Sequence, residues 1–196
     1  MIFIRELEQR ILAEGRILPG EVLKVGSFLN QQIDTRLLKD MGEEIARLFK
    51  SNNVTKVLTI ESSGIAIAFA AGLAMGLPVV FAKKHSTSNL SGDVLSAKVF
   101  SYTHQQTYDV VVSADYITSD DTVLIVDDFL AKGNALAGLI EIVNKADAKL
   151  AGCAIAIEKG FQGGGDKLRE QGIRVESLAI IDKMTDDSLE FRPQPV

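Results

Sequence analysis

The spacing of apolar side chains divides the chain into two helical segments and a longer region of alternating strands and helices. From Asp34 to about Lys50, apolar residues recur every three or four positions, which predicts an amphipathic helix with Asp34 as its N-cap. Residues 4–14 repeat this spacing and predict a shorter helix that ends at Gly15. Residues 17–31 lie between the two helices and are expected to be irregular and extended.

Beyond residue 53, short apolar runs alternate with helical segments of about a dozen residues. This alternation predicts βαβ units, and therefore an α/β fold with a central, mostly parallel sheet flanked by helices. Two runs are expected to pair as a hairpin across a turn near 103–106. The predicted strands are 54–60, 77–82, 94–102, 108–113, 122–126, 150–157 and 173–181, and the predicted helices are 64–75, 135–146 and a short one that ends at Gln171.

Composition narrows the class of protein. The 196 residues correspond to about one domain, and 46% apolar with 24% charged residues is typical of a globular protein. A single cysteine, Cys153, excludes an internal disulfide and a cysteine-based zinc site, and its apolar neighbours predict a core position.

Charge and hydropathy exclude two kinds of partner. The net charge of −5 and the absence of Trp argue against a nucleic-acid-binding protein. No apolar run reaches the roughly 18 residues of a membrane span, and the N-terminus lacks the layout of a signal peptide. We therefore expect a cytoplasmic protein that binds neither nucleic acid nor a membrane.

The strongest chemical signal is the stretch VLIVDDFLAKGNA at 123–135. An apolar strand leads into two carboxylates, Asp127 and Asp128, and a glycine-containing loop then opens a helix. Ligands of parallel sheets bind at the C-terminal strand ends, and the N–H groups of a helix N-terminus bind phosphate. Nearby carboxylates can accept hydrogen bonds from vicinal hydroxyls, so the pattern favours a ribose 5-phosphate. Because successive strand residues face opposite sides, only one aspartate is expected to face the ligand unless the strand has ended.

Three further strand ends carry polar residues. The turn at 61–65 (ESSGI) offers backbone N–H groups to an anion, although it is also compatible with a plain turn capped by Ser62. The basic cluster at 83–85 (KKH) could stabilise a polyanion or simply be solvated. Lys159 lies beside a glycine-rich turn, where it could donate to an exocyclic oxygen or pair with Glu158 on the surface.

The stretch at 123–135 resembles the phosphoribosyl-pyrophosphate (PRPP) signature of the type I phosphoribosyltransferases, which consists of a strand, two acids and a phosphate loop. The loop at 131–135 (AKGNA) departs from the usual threonine- and glycine-rich form, and Ser63 stands where many relatives have Arg. Together with VLKVGSFLNQQID, TIESSGIA, PVVFAKKH, AIAIEKGFQ and RVESLA in the same order, it resembles the bacterial purine-salvage branch that uses xanthine. The resemblance covers nearly the whole chain.

This resemblance implies a type I phosphoribosyltransferase fold as one domain over 1–196, with a small hood from about 1–35 and the C-terminal part. It implies transfer of the phosphoribosyl group of PRPP to N9 of xanthine, with Mg²⁺ bound to PRPP rather than to assigned protein ligands, in a homodimer. Residues 85–93 correspond to a lid, with His85 at most a phosphate contact, and Phe28 could shape the purine pocket. The implied site residues are Asp127 and Asp128 for catalysis, Ala131, Lys132, Gly133, Asn134 and Ala135 for the 5′-phosphate, Leu23, Asn30 and Lys159 for xanthine, and Ser62, Ser63, Gly64, Lys83 and Lys84 for pyrophosphate.

Three alternatives stay open on the sequence. Guanine, hypoxanthine or adenine could be the acceptor, although the amino group of adenine would match Lys159 badly. A PRPP-sensing regulator would share the fold without catalysis, but it needs a DNA-binding domain of about 60 residues with a basic face. Only residues 1–53, of mixed charge, precede the first predicted sheet strand. An unrelated phosphate-binding protein could use the aspartates as a metal site, which leaves the ordered motif set unexplained.

Overall fold

The computed structural model describes residues 2–84, 92–101 and 106–194, which contain five α-helices and ten β-strands. Single turns of other helical types cover Gly26–Asn30, Ala114–Tyr116 and Gly160–Gln162. In chain order the elements are α1 (Ile2–Glu14), β1 (Arg16–Leu18), β2 (Val22–Lys24), α2 (Thr35–Leu48), β3 (Lys56–Ile60), α3 (Gly64–Met75), β4 (Val79–Ala82), β5 (Val94–Ser101), β6 (Gln106–Ser113), β7 (Thr122–Leu130), α4 (Asn134–Lys145), β8 (Lys149–Lys159), α5 (Gly164–Glu170), β9 (Val175–Met184) and β10 (Leu189–Phe191).

A six-stranded sheet with the order β10-β9-β8-β7-β3-β4 forms the centre of the molecule. Five of these strands run parallel, and β10 pairs antiparallel with β9 at one edge. Along β7, Leu124 and Val126 pack into the core shared with α1, α2 and α3, whereas Val123 and Ile125 pack into the core shared with α4. Because both faces are covered, the strand is apolar throughout, as parallel strands usually are. The predicted α/β fold with a mostly parallel sheet is confirmed.

Local signals in the sequence set the ends and the packing of the helices. The Asp34 carboxylate accepts hydrogen bonds from the backbone N–H groups of Arg36 and Leu37 at 3.1 and 3.2 Å, so it caps α2 as predicted. Helix α3 ends at Gly76, whose φ of 69° lies in the left-handed region that glycine adopts at low cost. Cys153 is fully buried in β8, which confirms its core position.

The structure differs from the sequence predictions where pairing between strands determines which residues form a strand. Strand β7 does not end at Val126 but continues to Leu130, because its last residues stay paired with β8. The segment 17–31 is not simply irregular, since β1 and β2 pair as an antiparallel hairpin followed by one helical turn. The edge strand β10 was not predicted, because three residues carry too little periodicity to identify a strand.

A second antiparallel hairpin lies beside the sheet. β5 and β6 pair along their full lengths, as predicted, and the backbone of Lys83 exchanges two hydrogen bonds with Val111 of this hairpin. Most of the predicted turn near 103–106 lies outside the described residues. Within 2–84, 92–101 and 106–194, no helix is both long and apolar enough to cross a membrane.

Candidate active site

Two neighbouring cavities open at the C-terminal ends of the central strands, where the sequence predicted the ligand. The larger has a volume of 490 Å³ and lies between the loop after β7, the end of β8 and the β1–β2 hairpin. The smaller has a volume of 140 Å³ and is lined by the turn after β3 and by the end of β7. Tyr108 and Ala135 line both, so the two cavities adjoin and together form the candidate site.

All five predicted phosphate-loop residues, Ala131 to Ala135, line the larger cavity. The loop ends at Gly133, whose φ of 86° lets the chain turn into the N-terminus of α4, where free N–H groups point outward. Gly164 supports the loop from behind, since its N–H donates to the Ala131 carbonyl at 3.1 Å. A Cβ atom at Gly164 would lie only 2.2 Å from that carbonyl oxygen, so the contact requires glycine.

Asp127 and Asp128 lie together on the floor of the smaller cavity. Asp127 is only 5% exposed, and burial together with the charge of Asp128 raises the pKa of its carboxyl well above the ordinary value. Both aspartates line this cavity although β7 continues past them, so they are not separated as the alternation of a strand suggested. The backbone N–H of Asp128 donates to Asp127 Oδ1 at 3.0 Å. Asn30 reaches across from the N-terminal segment, with its Nδ2 3.4 Å from Asp128 Oδ2. The aspartates are placed to accept hydroxyl hydrogen bonds from a sugar.

The turn after β3 forms the other wall of the smaller cavity. It contains the predicted pyrophosphate residues Ser62, Ser63 and Gly64, and the peptide bond between Glu61 and Ser62 is cis. A Cβ atom at Gly64 would lie 2.7 Å from Asp127 Oδ1, so the turn approaches the aspartate as closely as backbone can. Ser63 is the N-cap of α3 but makes no side-chain capping bond, and Ser62 does not cap the helix.

The structure places the two predicted lysines in different surroundings. Lys84 lines the smaller cavity, where its N–H donates to Glu61 Oε1 at 2.7 Å and its ammonium lies 5.9 Å from the centroid of the Tyr108 ring. Lys83 instead lines a separate groove between β4 and β6, because its backbone is paired with Val111. Only Lys84 therefore joins the candidate site, and His85 lies outside the described residues.

Lys159 stands at the far end of the larger cavity, at the last residue of β8. Burial lowers the pKa of its ammonium. Its Nζ donates to the backbone carbonyl of Glu21 at 2.6 Å and lies 5.8 Å from the centroid of the Phe129 ring. The suggested surface pair with Glu158 is wrong, since Glu158 is fully buried and bound by Arg169 and Ser177 on another side of the strand. Lys159 is therefore available to a ligand in the cavity.

Leu23 and Phe28, predicted to contact the base and to shape its pocket, do not line either of the two cavities. Leu23 is 93% buried in the core, and its contact with xanthine stays a prediction. Phe28 is likewise a core residue. The sequence missed Tyr108, Phe129, Glu21 and Gln162, all of which line the larger cavity. Phe129 lies within the 123–135 stretch and Gln162 within the AIAIEKGFQ stretch, but neither was assigned a role. Tyr108 and Glu21 lie outside these motifs, and the two hairpins bring them to the site.

Comparisons with known proteins agree with this geometry. The sequence family described as "Phosphoribosyl transferase domain" matches residues 26–183. Xanthine phosphoribosyltransferase of Ruminiclostridium cellulolyticum is 51% identical over 185 residues, which are 94% of this chain and 97% of that protein. The enzyme of the same name from Oceanobacillus iheyensis is 48% identical over 188 residues, or 96% of this chain and 97% of that protein.

Solved structures with the same fold are more distant in sequence. The APRTase from Giardia lamblia complexed with 9-deazaadenine has a TM-score of 0.75 at 22% identity, covering 90% of this chain and 96% of that one. The adenine phosphoribosyltransferase from Rhodothermus marinus has a TM-score of 0.72 at 23% identity, covering 91% and 98%. At this identity the likeness concerns the fold alone.

Proposed function

The chain belongs to the phosphoribosyltransferase family, and from this premise we propose that it transfers the 5-phosphoribosyl group of PRPP to N9 of xanthine, giving xanthosine 5′-monophosphate and pyrophosphate in purine salvage. The observation that carries the proposal is the site that brings a phosphate loop, two aspartates and a half-buried lysine together in two adjoining cavities at the C-terminal strand ends. The named relatives cover almost the whole chain at about half identity, which supports the same substrate pair.

Three groups of residues bind three different parts of PRPP, the phosphoribosyl donor. The N–H groups of 131–135 bind the 5′-phosphate, because a helix N-terminus carries partial positive charge. Asp127 and Asp128 accept hydrogen bonds from the ribose hydroxyls and balance the positive charge that develops at the sugar as the bond to pyrophosphate breaks. The turn at 62–64 and Lys84 hold the departing pyrophosphate, so stabilisation is greatest where charge develops.

Mg²⁺ is part of this proposal only as a companion of PRPP. Among the residues that the structure describes, no group of three or more His, Cys, Asp or Glu side chains could hold a metal ion by itself. Mg²⁺ keeps several waters and takes few carboxylates when it binds phosphate substrates, so the pair Asp127 and Asp128 fits this mode. When bound, Mg²⁺ would neutralise charge on the pyrophosphate oxygens.

The purine is held by the end of the cavity that contains Lys159. Xanthine carries oxo groups at positions 2 and 6, and an ammonium in a partly apolar pocket is a strong donor to such oxygens. The Phe129 ring lies beside Lys159 and offers an apolar surface to a planar base. Adenine has an amino group in place of the 6-oxo group, and the lysine would then face a donor.

Three further expectations concern the domain structure, the location and the oligomeric state of the protein. A hood formed by the N-terminal and C-terminal segments over a single domain stays a prediction, as does a cytoplasmic location. A homodimer also stays a prediction, and it is supported by apolar side chains on α3 and β4 that are exposed, namely Phe69, Leu73 and Phe81. Light scattering of the purified protein measures the mass in solution and would contradict the dimer if it gave 21 kDa.

A spectrophotometric assay with PRPP and Mg²⁺ tests the function. Xanthine, guanine, hypoxanthine and adenine are supplied separately, and the nucleotide product is identified by chromatography. We expect the largest kcat/KM for xanthine, and a larger value for any other base would refute the proposed acceptor. Gel-shift binding to DNA with no turnover of any base would favour the regulator.

Asp128→Asn tests the role of the aspartates in the same assay. The amide keeps the shape of the side chain but removes its charge, so kcat/KM for xanthine should fall by about a hundredfold. Glu170→Gln, an exposed substitution on α5, is the matched control and should leave activity unchanged. An unchanged kcat/KM in Asp128→Asn would remove the proposed role.

A further inference from the structure

The β1–β2 hairpin closes over the purine end of the cavity, and its tip holds a residue in an uncommon conformation. Three residues, Pro19 to Glu21, connect the strands, and both Gly20 and Glu21 have positive φ, at 83° and 61°. A glutamate in the left-handed region is uncommon and is retained only where surrounding contacts fix it. An isolated two-stranded hairpin is also marginally stable, so contacts at the tip must fix its position.

Glu21 makes those contacts across the cavity, with residues about 140 positions further along the chain. Its backbone carbonyl accepts a hydrogen bond from Lys159 Nζ at 2.6 Å. Its carboxylate oxygen Oε2 accepts one from Gln162 Nε2, also at 2.6 Å. Lys159 ends β8 and Gln162 lies in the following turn, so both bonds join the hairpin tip to the central sheet.

The backbone bond also orients the lysine. An ammonium has three N–H donors, and the Glu21 carbonyl takes one of them. The remaining two are directed by that bond, and they are the donors that an oxo group of the base would use. The hydrogen bond between Gln162 and the Glu21 carboxylate holds the backbone carbonyl of Glu21 in place, and this carbonyl orients Lys159. Closure of the hairpin and direction of the lysine therefore depend on the same residue.

From these contacts we propose that Glu21 and Gln162 form a latch that holds the hairpin closed over the purine, and that Glu21 is a positioning residue for Lys159. The inference rests on the proposed transfer to xanthine and adds a residue pair that governs affinity for the base. The latch lies at the purine end, away from Asp127 and Asp128, so it affects the KM for xanthine rather than the KM for PRPP or kcat.

Exchanging the two side chains between positions 21 and 162 tests the latch. In Gln162→Glu two carboxylates face each other, so the KM for xanthine should rise about tenfold, which corresponds to about 1.4 kcal/mol. Glu21→Gln removes the charge but keeps an amide acceptor, and a rise of about threefold is expected. The double variant Glu21→Gln with Gln162→Glu restores one carboxylate and one amide, and its KM should return to within about twofold of the wild type. Glu170→Gln serves as the control.

Hydrogen exchange of the unliganded protein gives a second readout that does not depend on activity. Amides of residues 16–24 should exchange faster in Gln162→Glu and return to the wild-type rate in the double variant, because the latch holds the hairpin. Failure of the double variant to restore either KM or exchange would overturn the latch, as would unchanged exchange in Gln162→Glu. A wild type that exchanges as expected but does not use xanthine would instead refute the proposed function and leave the latch standing.

Discussion

The buried carboxylate of Glu158 leads to a testable prediction about how the phosphate loop is held in place. Glu158 is 0% exposed, and Arg169 of α5 donates to its two oxygens at 2.9 and 2.6 Å, while Ser177 donates to one of them. The ion pair with Glu158 raises the pKa of Arg169. Arg169→Ala would leave the buried carboxylate without its cation, and breaking such a pair costs more than the pair itself contributes.

The size of the effect follows from the burial of the two partners. Removing one partner of a buried pair costs about 3–5 kcal/mol, and the lower figure applies here because the Arg169 side chain is 29% exposed. For a chain of 196 residues, about 3 kcal/mol corresponds to a fall in Tm of roughly 6–12 °C. The damage should also reach the site, since α5 carries Gly164, whose N–H binds Ala131 in the phosphate loop.

Differential scanning calorimetry measures the change in Tm, and steady-state kinetics measure the KM for PRPP. Lys183→Ala is the matched control, because its pair with Glu190 is about two-thirds exposed on both sides and should contribute less than about 1 kcal/mol. A fall in Tm of less than about 2 °C in Arg169→Ala would refute the reasoning. A fall in Tm in Lys183→Ala as large as the fall in Arg169→Ala would also refute it.

Three further predictions concern the site. Because the pKa of Asp127 is raised, the folded protein keeps a proton that the unfolded chain has lost, and stability falls as pH rises from about 3.9 towards the folded pKa. Asp127→Asn should therefore abolish turnover yet raise stability by about 1 kcal/mol near neutral pH, and thermal unfolding should show a smaller gain at about pH 4. Gly164→Ala should raise the KM for PRPP about tenfold, because its Cβ would meet the Ala131 carbonyl at 2.2 Å; an unchanged KM would show that the loop does not need this support. Lys159→Met should lower kcat/KM for xanthine by at least about tenfold while calorimetry finds PRPP binding unchanged, and equal losses in both would contradict its assignment to the base.

The sequence predicted the parts of the fold that local patterns control. The Asp34 cap, the apolar strand that precedes Asp127 and the end of α3 at Met75 are each determined by residues within one or two turns of the chain. The continuation of β7 to Leu130 was missed because it depends on pairing with β8, and pairing partners leave no signal in a short window.

The site was predictable to the same extent. The phosphate loop and the aspartates form one contiguous motif, and the structure brings them to two adjoining cavities, with Lys159 in the larger and Lys84 in the smaller. Tyr108 and Glu21 could not be identified, because hairpins distant in sequence bring them to the site. The separation of Lys83 from Lys84 has a similar origin, since the backbone pairing of Lys83 with Val111 decides its surroundings.

Calorimetric titration with PRPP tests most directly the claim that a phosphorylated sugar binds at residues 127–135, where β7 ends and the chain turns into α4. In the presence of Mg²⁺ and xanthine, the wild type should give a saturable heat of binding. Gly133→Val, which forces a branched side chain into a φ of 86°, should bind at least about tenfold more weakly while its circular dichroism stays unchanged. No heat with the wild type, or an equal Kd for the folded variant, would contradict the account.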